Sequence, residues 1–305
     1  MRQKLHTLYK KNIFFLAVIV ALIGSMGNAL QGVYNKYYCG LLGISTFQLL
    51  SIRCMVEVVI FAPFCIKYFK DFRRNFLIVL MLAFFYSCDI LLYHTGLQTV
   101  SVNTGTLIML LVPFWMCVFG RIILKEKSMN TVNMLALVVC VVAVGYSIKG
   151  EVGFNGFQIG MMFIIANSVI LPIGVVLQKK FDAARPVIFA LFTNAIMLGI
   201  IGYFLSYSTT GTAALPISSE VLKSAFIVAI FDTMECAGVY LSCKMAYVAL
   251  LQPVRFTRFA FASIFSSIVL SQSLTKYQII TATVIFCANL ISTSYSQIRC
   301  GNKRK

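Results

Sequence analysis

Of the 305 residues, 60% are hydrophobic and only 11% are charged, whereas soluble domains carry about 25% charged residues. With a mean hydropathy of +0.89, the composition excludes a soluble enzyme or binding domain and places the chain in a bilayer. The net charge of +17 would suit nucleic acid, but its distribution follows membrane topology instead.

Ten apolar stretches follow in chain order, at about 13–33, 46–66, 76–98, 103–121, 131–148, 157–178, 187–207, 220–242, 246–270 and 277–296. Each is close to the roughly 20 residues a helix needs to cross the hydrocarbon. The runs are continuous and lack the period of two that barrel strands show, so a β-barrel is not expected. The first stretch has the basic start of a signal peptide (Lys10, Lys11). Its small residues Gly24, Ser25, Gly27 and Ala29 are more simply a packing face. The connections "TVSVN" and "SCKM" are very short, and no soluble domain or long linker interrupts the series.

The basic residues alternate between the two sides. With the N-terminus cytoplasmic, 19 of the 26 Lys and Arg fall on that side and four on the other (Lys36, Lys149, Lys223, Lys276), and three are within spans. This is the positive-inside pattern, and it puts both termini in the cytoplasm. The runs "KYFKDFRR" and "NKRK" are then topological, and anionic lipid would attract them.

Four of the nine acidic residues interrupt apolar stretches: Glu57, Asp89, Asp232 and Glu235. Arg53, Arg255 and Arg258 have similar surroundings. A charge at the bilayer centre costs about 2.5–3.5 kcal/mol on insertion scales, so such residues pair with one another or line a pathway. Arg53 and Glu57 are four apart on one helix and can neutralise each other as a structural pair. Asp232 and Glu235 are three apart, so both project from one face, and no basic residue of their own helix is within reach. Two carboxylates at this spacing disfavour double ionisation, which would let one carry a proton during transport. Arg255 and Arg258, also three apart, follow Pro253, whose ring weakens the helix. Guanidinium groups bind carboxylates bidentately, and the eighth-span acids or Asp89 are their expected protein partners. Glu126, Lys125 and Lys127 mark a cytoplasmic boundary. His94, five residues after Asp89, reads first as a packing or interfacial residue and second as a proton relay. The ten cysteines are scattered without CxxC or metal-ligand spacing and read as packing.

The spans divide into two sets of five. The fourth has Pro113 early and a polar exit at Glu126, and the ninth has Pro253 early and Gln272 at its exit. Asp89 and Asp232 are each in the third span of their set. Five is odd, so the second set enters the membrane from the other side, the inverted-repeat arrangement common in secondary transporters. The expected fold is therefore an all-α membrane protein of ten transmembrane helices, with five-helix repeats at 1–148 and 149–305.

The segments "LLVPFWMCVFGRIILKE", "STFQLLSIRCMVEVVIFAPF" and "LQPVRFTRFAFASIFSSIVLSQSLTKYQIITATVIF" resemble the fourth, second and ninth-to-tenth spans of EamA-type members of the drug/metabolite transporter superfamily. Gln272 departs from that family's usual glutamate, and Thr281-Ala282 from its usual glycine. Within the superfamily, "NKYYCGLLGISTFQLLSIR" and "PVRF" look most like the S-adenosylmethionine uptake carriers of intracellular bacteria. The resemblance implies a multi-pass carrier of the cytoplasmic (inner) membrane, without a cofactor. It would move a small polar metabolite by alternating access, best matched by S-adenosylmethionine uptake in exchange for S-adenosylhomocysteine. Asp232, Glu235, Arg255, Arg258 and Asp89 would contact the substrate, and Tyr93, Trp115 and Phe256 could stack an adenine. Export of amino acids or amphipathic cations, and exchange of phosphorylated metabolites, stay open as alternatives. The partners expected are a small-molecule substrate and lipid, with no nucleic acid, and a homodimer is compatible with the sequence. There is no GxxxxGK[ST], HExxH or GxSxG, which argues against ATP coupling and intramembrane hydrolysis.

Overall fold

The computed structural model describes residues 2–125, 131–152, 159–181, 184–212, 214–245, 251 and 254–302. Within this set every regular element is helical. The first helix, α1 (Arg2–Leu42), runs past the expected 13–33 and ends where Gly43 turns left-handed at φ +63, a conformation that costs glycine little. Ser45 caps the next helix, α2 (Thr46–Lys67), and its Oγ and the Gln48 side chain complete a capping box. After the short α3 (Phe69–Arg74) comes α4 (Phe76–Leu97).

The fourth apolar stretch is not one uniform helix. Ser101 caps α5 (Val102–Ile108), a 3₁₀ turn follows at Met109–Leu111, and α6 (Val112–Ile123) resumes with Pro113 near its start. Proline has no N–H to give to the preceding turn and its ring crowds the residues before it, so the break falls at that point. The remaining helices are α7 (Thr131–Val152), α8 (Ile159–Lys180), α9 (Ala184–Thr210), α10 (Ser219–Met245), α11 (Thr257–Leu270) and α12 (Lys276–Asn302). Pro253 and Glu126, expected to mark the ninth and fourth spans, lie outside the described residues, as do 246–250 of the ninth stretch.

Among the described residues, seven helices are long and apolar enough to cross a membrane, and 134–148, 257–270 and 276–288 form shorter apolar helices. The outer surface agrees with that reading. Leu77 is 79% exposed, Ile66 76% and Ile268 74%, a face that water would not tolerate and lipid does. Polar side chains are turned inward instead, with Asn28, Gln31, Asn35, Arg53, Glu57, His94 and Asp232 all buried.

Helix α1 packs along α10 and α11, α2 along α9 and α10, α4 along α8 and α9, α6 along α8, and α7 along α12. Two of these contacts bring backbones together at glycine. A Cβ on Gly24 of α1 would come within 3.0 Å of the Gly238 Cα of α10, and one on Gly27 within 2.8 Å of the Phe231 carbonyl. On the other contact, a Cβ on Gly96 of α4 would reach 2.8 Å from the Gly160 carbonyl of α8. Lipid tails are as apolar as leucine, so helices associate in membranes through such close packing and through polar contacts. The first contact brings Gly27 against the backbone of Phe231, next to the buried Asp232.

Candidate functional site

The site starts from a polar stripe on α1. Asn28, Gln31 and Asn35 are three and four residues apart, which puts them on one helical face. That face meets α10, where Asp232 and Glu235 share a face by the same spacing. Asn28 donates from its amide to Glu235, and Gln31 Nε2 donates to Asp232 Oδ1 at 2.5 Å. One turn further along α1, the Asn35 amide meets His94 Nδ1 of α4 at 3.2 Å. Nδ1 then accepts, which leaves the ring proton on Nε2. Near the end of the stripe, Lys36 Nζ donates to the Val100 and Leu97 carbonyls at 2.9 and 3.3 Å and closes α1 onto the end of α4.

The basic residue in contact with Asp232 is Arg53 of α2. Its Nη1 is 3.6 Å from Asp232 Oδ1, and its Nε is 3.1 Å from Glu57 Oε1. The sequence expectation is corrected here in one respect. Arg53 and Glu57 do pair, but the couple is not self-contained, because the guanidinium also serves Asp232. Arg255 interacts with Glu235, so of the two eighth-span acids it is Glu235 that draws the expected arginines, while the salt bridge to Asp232 comes from Arg53. Arg258 interacts electrostatically with Asp89 and Glu235, and its guanidinium lies 5.7 Å from the Tyr93 ring centre. The reason is the packing of α2 against α10, which seats Arg53 at Asp232.

Several of these groups surround an interior cavity of about 40 Å³. Asp89 and Tyr93 line it from α4, Asp232 and Glu235 from α10, Arg258 from α11, and Asn28 and Gln31 from α1. Met109 of the 3₁₀ turn and Gln178 of α8 complete much of the wall. A second space of about 30 Å³ continues beyond Glu235 and Arg258, along Ala21, Ser25, Pro113 and Arg255. Five of the sequence-selected residues (Asp232, Glu235, Asp89, Tyr93, Arg258) thus meet at one cavity, and Arg255 borders its extension. Trp115 and Phe256 line neither space. Trp115 packs between Phe114 and Phe119, and Phe256 is buried in the apolar core around Met116 and Leu107.

The sequence reading did not single out Asn28, Gln31, Asn35, Tyr86 or Gln178, and His94 is a fully buried cavity residue, not an interfacial one. The Tyr86 hydroxyl donates to Gln178 Oε1, and Asn167 of α8 donates to the Asp89 backbone carbonyl at 2.7 Å. Three uncharged polar atoms on cavity-lining residues make no hydrogen bond among the described residues, Asn28 Oδ1, His94 Nε2 and Gln178 Nε2, and the Nε of the charged Arg258 likewise makes none. The first three give the cavity an uncharged acceptor and two uncharged donors beside its charges. Formally, Glu57, Asp89, Asp232 and Glu235 outnumber Arg53 and Arg258 by two, or by one when Arg255 is included.

Residues 15–148 match the family model described as "EamA-like transporter family". That segment, the first half of the chain, is similar to an EamA-like transporter domain. That family, part of the drug/metabolite transporter superfamily, is one of multi-pass membrane transporters. A search of curated proteins found no match. Among solved structures, one titled "Crystal structure of protein" aligns with a TM-score of 0.70 at 12% identity, covering 92% of this chain and 97% of that one. At that identity the likeness concerns the fold. The likeness in fold spans both halves of the chain, beyond the segment that the family model matches.

Proposed function

We propose that this protein is a secondary carrier that takes up a small cationic metabolite by alternating access, with S-adenosylmethionine as substrate and S-adenosylhomocysteine as exchange partner. The observation that carries the reading is the interior cavity, where three carboxylates of α4 and α10 face one arginine at the junction of both halves of the chain. S-adenosylmethionine carries about one net positive charge, from a sulfonium and an ammonium against one carboxylate. Asp232, Glu235 and Asp89 suit the cationic groups, and Arg258 suits the carboxylate. The excess of acid disfavours a phosphorylated metabolite, which would need the reverse. Efflux of an amphipathic cation would use the acids equally well but leaves the uncharged donors and acceptor of the wall without a purpose.

The helix contacts support an inverted repeat of 1–148 and 149–305. Exchanging the halves turns α1 into α8, α2 into α9, α4 into α10, the α5–α6 pair into α11, and α7 into α12. The α1–α10 contact then becomes α8–α4, α1–α11 becomes α8–α6, and α2–α10 becomes α9–α4. The α2–α9 and α7–α12 contacts map onto themselves. Every one of these pairs occurs. The glycine contacts obey the same exchange: Gly24 against Gly238 corresponds to Gly160 against Gly96. Asp232 precedes Gly238 by six residues and Asp89 precedes Gly96 by seven, so the two acids occupy nearly equivalent places. Two packings related in this way can exchange roles, which opens the site to one side and then the other. The cavity volume is compatible with this: about 40 Å³ holds a few waters and admits a metabolite only when helices part.

The test is uptake of labelled S-adenosylmethionine into proteoliposomes, with S-adenosylhomocysteine, amino acids, tetraphenylphosphonium and sugar phosphates as competitors. Saturable uptake blocked by S-adenosylhomocysteine and untouched by sugar phosphates is expected. Absence of saturable uptake would remove this substrate, and competition by sugar phosphates alone would reverse the charge argument.

A further inference from the structure

We propose that Arg53 is a tethered counter-cation that competes with the substrate for Asp232, and that Glu57 is the place to which it withdraws. The inference rests on the carrier reading and adds to it a residue pair on the closed side of the cavity wall. Asp232 lines the cavity, whereas neither Arg53 nor Glu57 does. The guanidinium is fully buried behind Asp232 and touches both acids, Nε to Glu57 at 3.1 Å and Nη1 to Asp232 at 3.6 Å.

The manner of contact suits a cation that can move between two acids. Structural arginine–carboxylate pairs are commonly bidentate, with two directed N–H···O bonds. Here none of the three guanidinium nitrogens makes a directed hydrogen bond to either carboxylate, and Glu57 Oε1 has no hydrogen-bond partner among the described residues. The cation is held by charge and shared, so little directed bonding is lost when it moves. Arg53 and Glu57 are one turn apart on α2, and Asp232 is on α10. A shift of α10 against α2 therefore changes the Arg53–Asp232 distance and leaves the Arg53–Glu57 distance as it is.

A substrate sulfonium or ammonium arriving at Asp232 brings a second positive charge next to the guanidinium. Glu57 is the acid that accepts the displaced cation without letting it into the cavity. In the unloaded carrier Arg53 shields Asp232, and in the loaded carrier it rests on Glu57. The substrate class follows from this exchange: its charged group must do for Asp232 what a guanidinium does. A solute without a cationic group cannot, whereas S-adenosylmethionine and S-adenosylhomocysteine both carry an ammonium.

The pair is tested by uptake kinetics in proteoliposomes, with S-adenosylmethionine and tetraphenylphosphonium as probes and insertion checked by size-exclusion in detergent. Glu57→Gln keeps the shape but leaves Arg53 wholly on Asp232, and the KM for the transported cation should rise about fivefold, the low end of the coupling between two bound groups. Arg53→Gln combined with Glu57→Gln removes the competitor and changes no net charge, and the KM should fall below that of the wild type. Opposite signs in the two variants are the signature of competition, because a structural strut would lower the amount of folded protein in both and leave KM in place. An unchanged KM in Glu57→Gln, or a double variant at or above the wild-type KM, overturns the proposal while the carrier reading stands. If the double variant does not insert, the single variant decides. A wild type that moves neither probe removes the carrier reading for cations and this inference with it.

Discussion

A carboxylate in the middle of a membrane is tolerated only with partners, and the partners found for Asp232 and Glu235 are mostly neutral. Gln31 and Asn28 each give one hydrogen bond, and Arg53 shares its charge between Asp232 and Glu57. Amide partners hold a carboxylate in place without cancelling its charge, which suits a site that must attract a cation. Asp232→Asn with Glu235→Gln should therefore reduce cation uptake to background while the protein still inserts and elutes as a single species. Normal uptake by that double variant would end the carboxylate reading. Gln178→Ala tests the uncharged wall: it should weaken S-adenosylmethionine more than tetraphenylphosphonium, which has no hydrogen-bonding edge, and an equal effect on both would count against a role in recognition. The acids were legible in the sequence because charge in an apolar run is conspicuous. Their amide partners were not, although Asn28, Gln31 and Asn35 follow helical spacing, because the small residues beside them account for α1 as a packing face. The Arg53–Asp232 contact was illegible for a different reason: it joins residues 179 positions apart on helices whose pairing no local pattern specifies.

Among the helices, each apolar stretch read from the sequence overlaps a described helix, whereas the interruption of the fourth at Met109–Leu111, just before Pro113, was not anticipated. The contact surfaces are harder to read, because a glycine in a membrane helix can face lipid or a neighbour. Gly145 has open space where its Cβ would be, whereas Gly24, Gly96, Gly160 and Gly238 do not. The α1–α10 contact holds both amide donors opposite both acids, so its spacing governs the site. Gly238→Val should force these backbones apart, at a cost of about 1–3 kcal/mol for overpacking, and should lower both the Tm in detergent and uptake. Gly145→Val serves as the control and should change neither measurably. Equal effects from the two substitutions would mean that α1 and α10 are not held by this contact.

For the whole molecule, the exchange of halves has a consequence that does not depend on any substrate. The segment around Lys70, between α2 and α4, corresponds to the segment around Thr212, between α9 and α10, and both residues are exposed. In a parallel repeat, equivalent segments would be on one side of the membrane. In an inverted repeat they must be on opposite sides, as follows when each half crosses the bilayer an odd number of times, five in the proposed arrangement. The distribution of Lys and Arg adds the direction: Lys70 sits in the basic run "KYFKDFRR", which the positive-inside rule assigns to the cytoplasm. A cysteine introduced at Lys70 should escape a membrane-impermeant maleimide applied to intact cells and react after lysis. A cysteine at Thr212 should react in intact cells, each compared with the parent chain to subtract its native thiols. Labelling of both from the same side would be incompatible with inverted halves, however closely the helix contacts mirror one another. Labelling from opposite sides with the order reversed would keep the repeat and place the termini outside.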